Sequence, residues 1–319
     1  MRRLLAIACL FLAPLSAGAA ILPSLYNIEL EVMPEHPKTG EVVTITVHDP
    51  SATGETAYIW TINGSGVEQG VGRTTITTTA GAIGSAQTIA VQAIEMGETK
   101  GQAVTVIVPA EVDIVWEGRT KTPPFYAGLP LTTGMSQISA VAVPYMIRSG
   151  SRISSNNILY TWSIDGNKLS SQSGYGKSSV TITPPRFAQA FQLSVRAETS
   201  DGAVVAEKSR TIQPVSPAIA LYERTPLAGI IFTKEIGTVF PLAEGEATLV
   251  AFPLFASTAG ILSYEWQLDG KSFELDPEAP ESATFKKSGS GSATHTVTFS
   301  FDDASKFLEH AERSFRLVF

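Results

Sequence analysis

The chain has 319 residues, 30 acidic against 23 basic, a net charge of −7 and a single cysteine. That length predicts two or three domains. The acidic balance, with no basic cluster anywhere, excludes nucleic acid and anionic membrane surfaces as partners.

The first element is the N-terminus. Residues 1–20 read MRRLLAIACLFLAPLSAGAA. Arg2 and Arg3 form a basic start, Leu4 to Leu15 is apolar, and Ala17-Gly18-Ala19 is a small-residue cleavage site. This pattern predicts a secretory signal peptide. The apolar run is shorter than the about 20 residues of a membrane span. Cys9 lies inside this run, not at its end, where a lipoprotein signal would carry its cysteine. Cleavage takes the net charge from −7 to −9 and leaves no cysteine. An exported chain without disulfides must rely on its cores.

The next elements come in three copies. Tyr58 to Gly64 reads YIWTING, Tyr160 to Gly166 reads YTWSIDG, and Tyr264 to Gly270 reads YEWQLDG. On a strand, positions i, i+2 and i+4 share one face. Tyr58 and Trp60, Tyr160 and Trp162, and Tyr264 and Trp266 are therefore expected in a core. Glu265 fixes the parity, because an inward glutamate is costly. Asn63-Gly64, Asp165-Gly166 and Asp269-Gly270 tolerate the positive φ of a tight hairpin turn. Around each copy run alternating segments: 42–48 and 87–94, 137–144 and 191–198, 246–253 and 295–302. Alternation over such short runs predicts antiparallel strands with one buried face. The tryptophans at 60, 162 and 266 repeat about every hundred residues, the length of an immunoglobulin-like sandwich. The expected fold is all-β: three tandem immunoglobulin-like antiparallel β-sandwich domains, at residues 21–109, 110–215 and 216–319. Asp303 to Arg313 is the one helical-looking stretch, with Asp303 as a turn residue or cap.

The Trp-x-x-Asp/Asn-Gly element resembles the strand and turn of PKD-type and bacterial immunoglobulin-like domains. Such domains are tandem modules of bacterial surface proteins. The repeated Y-x-W-x-[IL]-[DN]-G units are similar in particular to cell-surface proteins of Parcubacteria-type candidate phyla. The resemblance covers about residues 26–319 and implies a core and a turn rather than an activity. The second Gly-Asp pair of the fuller PKD turn is missing here.

The second and third repeats carry an extra apolar segment. Each follows an aromatic-Glu pair, Trp116-Glu117 or Tyr222-Glu223. In the second repeat it holds Phe125 and Tyr126; in the third, Ile231 and Phe232. One reading is an extended first strand that switches between sheets. The other makes Trp116, Phe125, Tyr126, Tyr222, Ile231 and Phe232 an interface with a neighbouring repeat or a partner, since contiguous apolar surface marks interaction sites.

Chemistry-bearing motifs do not appear. The four histidines, His36, His48, His295 and His310, lack metal-ligand spacing. His48 reads as a loop residue and His295 as a rim residue. Asp302-Asp303 could suggest a calcium site, but that needs six to eight oxygens gathered at a joint, and the joints carry Glu111 and Asp113 and little acid near Val215. Leu129 to Gly134, LPLTTG, reads as strand and turn. The sequence thus predicts a non-enzymatic exported protein with no catalytic residue, cofactor or metal. It would serve as a spacer, scaffold or adhesion module, with other surface proteins or glycans as partners. The alternative is a binding protein that takes a surface glycan or peptide on loops or a strand edge.

Overall fold

The computed structural model describes residues 28–124, 126–185, 190–243, 245–289, 291–303 and 309–319. The expected signal peptide, Cys9 and Phe125 lie outside them. The chain divides into two compact units. One comprises Met1–Glu35, Val43–Thr78 and Gln87–Val106; the other His36–Val42, Thr79–Ala86 and Ile107–Phe319.

The first sandwich has seven strands. They are β1 (Glu29–Met33), β2 (Val42–His48), β3 (Ala57–Ile62), β4 (Ser65–Val71), β5 (Thr75–Thr79), β6 (Gln87–Glu95) and β7 (Glu98–Ile107). One sheet has the order β1-β2-β5, the other β4-β3-β6-β7. β2 alternates because Val43, Ile45 and Val47 point inward while Val42, Thr44 and Thr46 do not.

The second unit holds two sandwiches. In the first of these, β8 (Glu111–Gly118), β9 (Ile138–Tyr145) and β15 (Ser179–Ile182) form one sheet, in the order β15-β9-β8. A small hairpin, β10 (Ile147–Arg148) and β11 (Ser151–Arg152), stands apart. The other sheet runs β13-β12-β16-β17. Its strands are β12 (Ile158–Ile164), β13 (Asn167–Lys168), β16 (Phe191–Thr199) and β17 (Val205–Ile212), with β14 (Gly174–Tyr175) also paired to β12.

The last sandwich comprises β18 (Ala218–Thr225), β19 (Gly229–Glu235), β20 (Val239–Pro241), β21 (Glu246–Leu254), β22 (Leu262–Leu268), β23 (Lys271–Ser272), β24 (Ser282–Lys286), β25 (Thr294–Asp303) and β26 (His310–Val318). The sheets have the orders β19-β18-β21-β24 and β20-β26-β25-β22-β23. The extra segment of this repeat does two things. β19 folds back on β18, and β20 crosses to the opposite sheet, where it pairs in parallel with β26.

Each core is organised around its tryptophan. Trp60, Trp162 and Trp266 are all 0% exposed, and their cross-strand partners are Val91, Val195 and Phe299. Tyr58 and Tyr160 are buried and Tyr264 is half-buried, while Glu265 faces out. Burying side chains of this size contributes several kcal/mol apiece, since truncating a core Trp costs about 3–5 kcal/mol.

The turns do more than tolerate positive φ. Asn63, Asp165 and Asp269 have φ of 51°, 48° and 50°, each followed by a positive-φ glycine. Their side-chain Oδ1 atoms accept from the amides of Thr88, Gln192 and Thr296 at 2.9, 2.8 and 2.9 Å. The Asx residue therefore ties its hairpin to the next strand as well as forming the bend.

The helical reading of 303–313 is corrected. Asp303 ends β25 and is buried, and His310–Arg313 belongs to β26; residues 304–308 lie outside the described set. A period of two explains it: Ala311, Phe315 and Leu317 face the core while Glu312, Ser314 and Arg316 do not. No α-helix occurs among the described residues.

Candidate functional site: the joint between the second and third sandwiches

The structure distributes the predicted interface residues unevenly. Trp116 packs, half-buried, on the core of its own sandwich. Tyr222 is buried in an aromatic cluster with Phe232 and Phe252, with ring centroids 5.6 and 6.0 Å away. Ile231 lies half-buried on β19 of the same sandwich. Trp116 covers its own domain, and Tyr222, Ile231 and Phe232 cover theirs because β19 folds back on β18. Tyr126 differs: its ring meets Phe255 of the third sandwich edge-on, at 5.7 Å and 80°.

Around that contact the two domains share backbone. The amide of Lys121 donates to Ala256 O at 2.6 Å, and that of Phe255 to Lys121 O at 2.8 Å. Thr258 N–H donates to Arg119 O at 3.0 Å, and Thr120 and Ser257 form an antiparallel bridge. From the connecting segment, Val215 N–H donates to Thr132 O at 2.9 Å. The β8–β9 loop thus pairs as a short ribbon with the β21–β22 loop. Phe255 holds φ of 62°. For a bulky residue that is a strained conformation, kept only where surroundings impose it.

Glu309 stands at the centre. It is fully buried, as are Thr132 and Ser136, with Thr133 at 1% and Ser257 at 2% exposure. Its Oε1 accepts from Thr133 Oγ1 at 2.5 Å and its Oε2 from the amide of Ser257 at 2.7 Å. Thr133 is held in turn: its amide donates to Ser136 Oγ at 2.9 Å, and Thr132 Oγ1 lies 2.9 Å from the same atom. A buried carboxylate needs such partners, and each charge-assisted bond contributes about 1.5–3 kcal/mol. Two glycines permit tight packing within each partner beside the joint. A Cβ on Gly118 would sit 2.7 Å from the backbone of Leu131, and one on Gly260 would collide with the Asp303 carboxylate.

Sequence reasoning missed this site. Glu309 fell inside the helical-looking stretch, and Thr132 and Thr133 inside the LPLTTG turn. The available signal was a Thr-Thr-x-x-Ser cluster in an otherwise apolar segment. The arrangement positions two domains, and the Thr133 hydroxyl and Glu309 carboxylate at its centre are buried away from solvent. Among the described residues, no three His, Cys, Asp or Glu side chains gather to hold a metal. His48, His295 and His310 instead pair with Glu31, Asp269 and Asp302. No helix among the described residues is long and apolar enough to cross a membrane.

Paired antiparallel sheets around a central tryptophan strand, repeated along the chain, define tandem immunoglobulin-like β-sandwich domains. The chain shows similarities to solved structures. The fibronectin(III)-like modules of Clostridium thermocellum CbhA match at 15% identity and TM-score 0.30, over 58% of this chain and 94% of that one. The central fibronectin-III array of RIM-binding protein matches at 15% and 0.33, over 91% and 95%. The Sidekick-1 immunoglobulin domains 1–4 match at 12% and 0.22, over 92% and 74%. No family model and no curated protein sequence matches the chain.

Proposed function

We propose that the protein is an exported, non-enzymatic scaffold or spacer of three tandem sandwiches. In this reading the second and third sandwiches act as one mechanical element. The Glu309 network carries the reading: a buried carboxylate bonded across a domain joint makes sense where relative motion is to be suppressed. Inter-domain contacts otherwise leave motion as the default. Residues 1–20 act as the signal peptide, and the modules belong with PKD-type domains of bacterial surface proteins. They hold or space other surface proteins or glycans. The absence of a mature cysteine fits a protein held by its cores and joints alone.

Calorimetry of the full chain tests this. The second and third sandwiches are expected to melt in a single transition. Glu309→Gln, which keeps the volume but turns one acceptor into a donor, should split that transition in two. Two separate transitions in the unmodified protein would defeat the proposal.

A further inference from the structure

Where the two sheets of the third sandwich part, between β23 and β24, lies a groove of about 480 Å³. That size falls within the range of sites for small organic molecules. Its walls are Leu268, Phe273, Phe285, Leu317 and Phe319. Phe273 meets Phe285 edge-on at 6.0 Å, and His295 meets Phe319 at 5.4 Å. Phe273 is 37% exposed, so the apolar wall is open to solvent.

The charged side chains of the lining are all basic in type: Lys271, Lys286, Lys287 and His295, with no Asp or Glu side chain among them. Two acids on neighbouring elements are engaged by the lining. Asp269 Oδ2 lies 2.6 Å from His295 Nδ1, and Glu246 Oε2 lies 3.4 Å from Lys286 Nζ. The His295 bond holds the Asp269 carboxyl below the usual range, with help from the charge of nearby Lys271, and Lys287 forms no direct ion pair among the described residues.

The second sandwich explains why the groove exists. Its tryptophan pairs with Val195, as Trp266 pairs with Phe299. Four residues earlier stand Phe191 and His295, opposite Ile212 and Leu317 respectively. Phe191 is buried at 2% exposure and fills its site. The smaller, polar His295 turns aside to Asp269 and leaves space.

We propose that this groove binds a small organic acid, an aryl or alkyl carboxylate. The apolar body would lie on Phe273, Phe285 and Phe319, and the carboxylate would meet Lys271 and Lys287. A cationic rim and a lining without Asp or Glu side chains select an anion. The lining offers a glycan no carboxylate or amide side chain, only the hydroxyls of Ser272, Thr284 and Ser288, against four basic side chains that suit an anion. This inference is independent of the spacer reading, and either can fail alone.

The probe is 2-naphthoate, titrated into the full chain and followed by NMR shifts of the Phe319 and His295 region. Saturable one-to-one binding is expected. The neutral isostere 2-naphthamide should bind about five-fold more weakly, the scale of one exposed charge pair. The double substitution Lys271→Gln with Lys287→Gln should lower naphthoate affinity by about five-fold or more, with an unchanged melting temperature. His295→Phe, which copies Phe191, should abolish binding in a folded protein. Absence of saturable binding at millimolar naphthoate would overturn the proposal. So would equal binding of the amide, unchanged binding by His295→Phe, or binding of cellobiose in place of the acid.

Discussion

The indole Nε1 of Trp162 donates to the backbone carbonyl of Lys177 at 2.9 Å. Trp60 makes the same bond to Arg73 O, at 2.7 Å. Both acceptors follow a positive-φ glycine, Gly72 or Gly176, just before the strand that crosses to the other sheet. The third repeat has Ala279-Pro280-Glu281 there, and Trp266 Nε1 is buried with no acceptor among the described residues.

Replacement by Phe should therefore hurt unequally. Trp162→Phe loses volume and orphans Lys177 O, whereas Trp266→Phe loses volume but removes an unpaired buried donor. An unpaired buried polar group costs about 1–3 kcal/mol. Chemical denaturation should show Trp162→Phe to be the more destabilising by at least about 1 kcal/mol. Equal losses would mean the indole bond contributes nothing.

The Asx turns give a second expectation. Asp165→Ala removes the acceptor for Gln192 N–H and places alanine at φ of 48°. The cost should be about 1–3 kcal/mol. Asp165→Asn keeps both the oxygen and the tolerance of positive φ, and should recover most of it. Thermal melts of the two variants separate the cases; an asparagine variant as weak as the alanine one would refute the role.

Alkaline pH should act on the first sandwich. Burial pushes the Tyr58 phenol up to about 12, helped by the charge of Asp49 and its bond to the hydroxyl. A folded-state value above the unfolded one, about 10, favours the protonated form in the fold. The resulting stability is complete below pH about 10 and is lost as pH rises through about 12. Tyr58→Phe should remove that dependence within this window. A phenolate signal that is lost on Tyr58→Phe and rises at pH about 10 with the sandwich still folded would contradict it.

What was legible in the sequence depended on range. Trp60, Trp162 and Trp266 announce themselves because Y-x-W-x-[IL] carries the strand period within five residues. The Asx-Gly turns are equally local. Glu309 was not legible, since Thr133 lies 176 positions away and Ser257 lies 52 away. Its neighbourhood, with Leu, Glu, Ala and Arg, has good helix formers, and tertiary pairing overrode that propensity. The groove was hidden for a similar reason: His295 is a rim residue by sequence, and only its register against Phe191 shows what it fails to fill.

The central claim is that Glu309 fixes the third sandwich on the second. The direct measurement is an electron spin–spin distance between labels at Val141→Cys and Thr284→Cys, with Cys9 replaced by serine where the signal is retained. Both native positions are exposed and lie on opposite sides of the joint. The account predicts one narrow distance distribution, which broadens when Glu309→Ala removes the acceptor of Thr133 Oγ1 and Ser257 N. A broad distribution in the protein with Glu309 intact, or one that the substitution leaves unchanged, would contradict it.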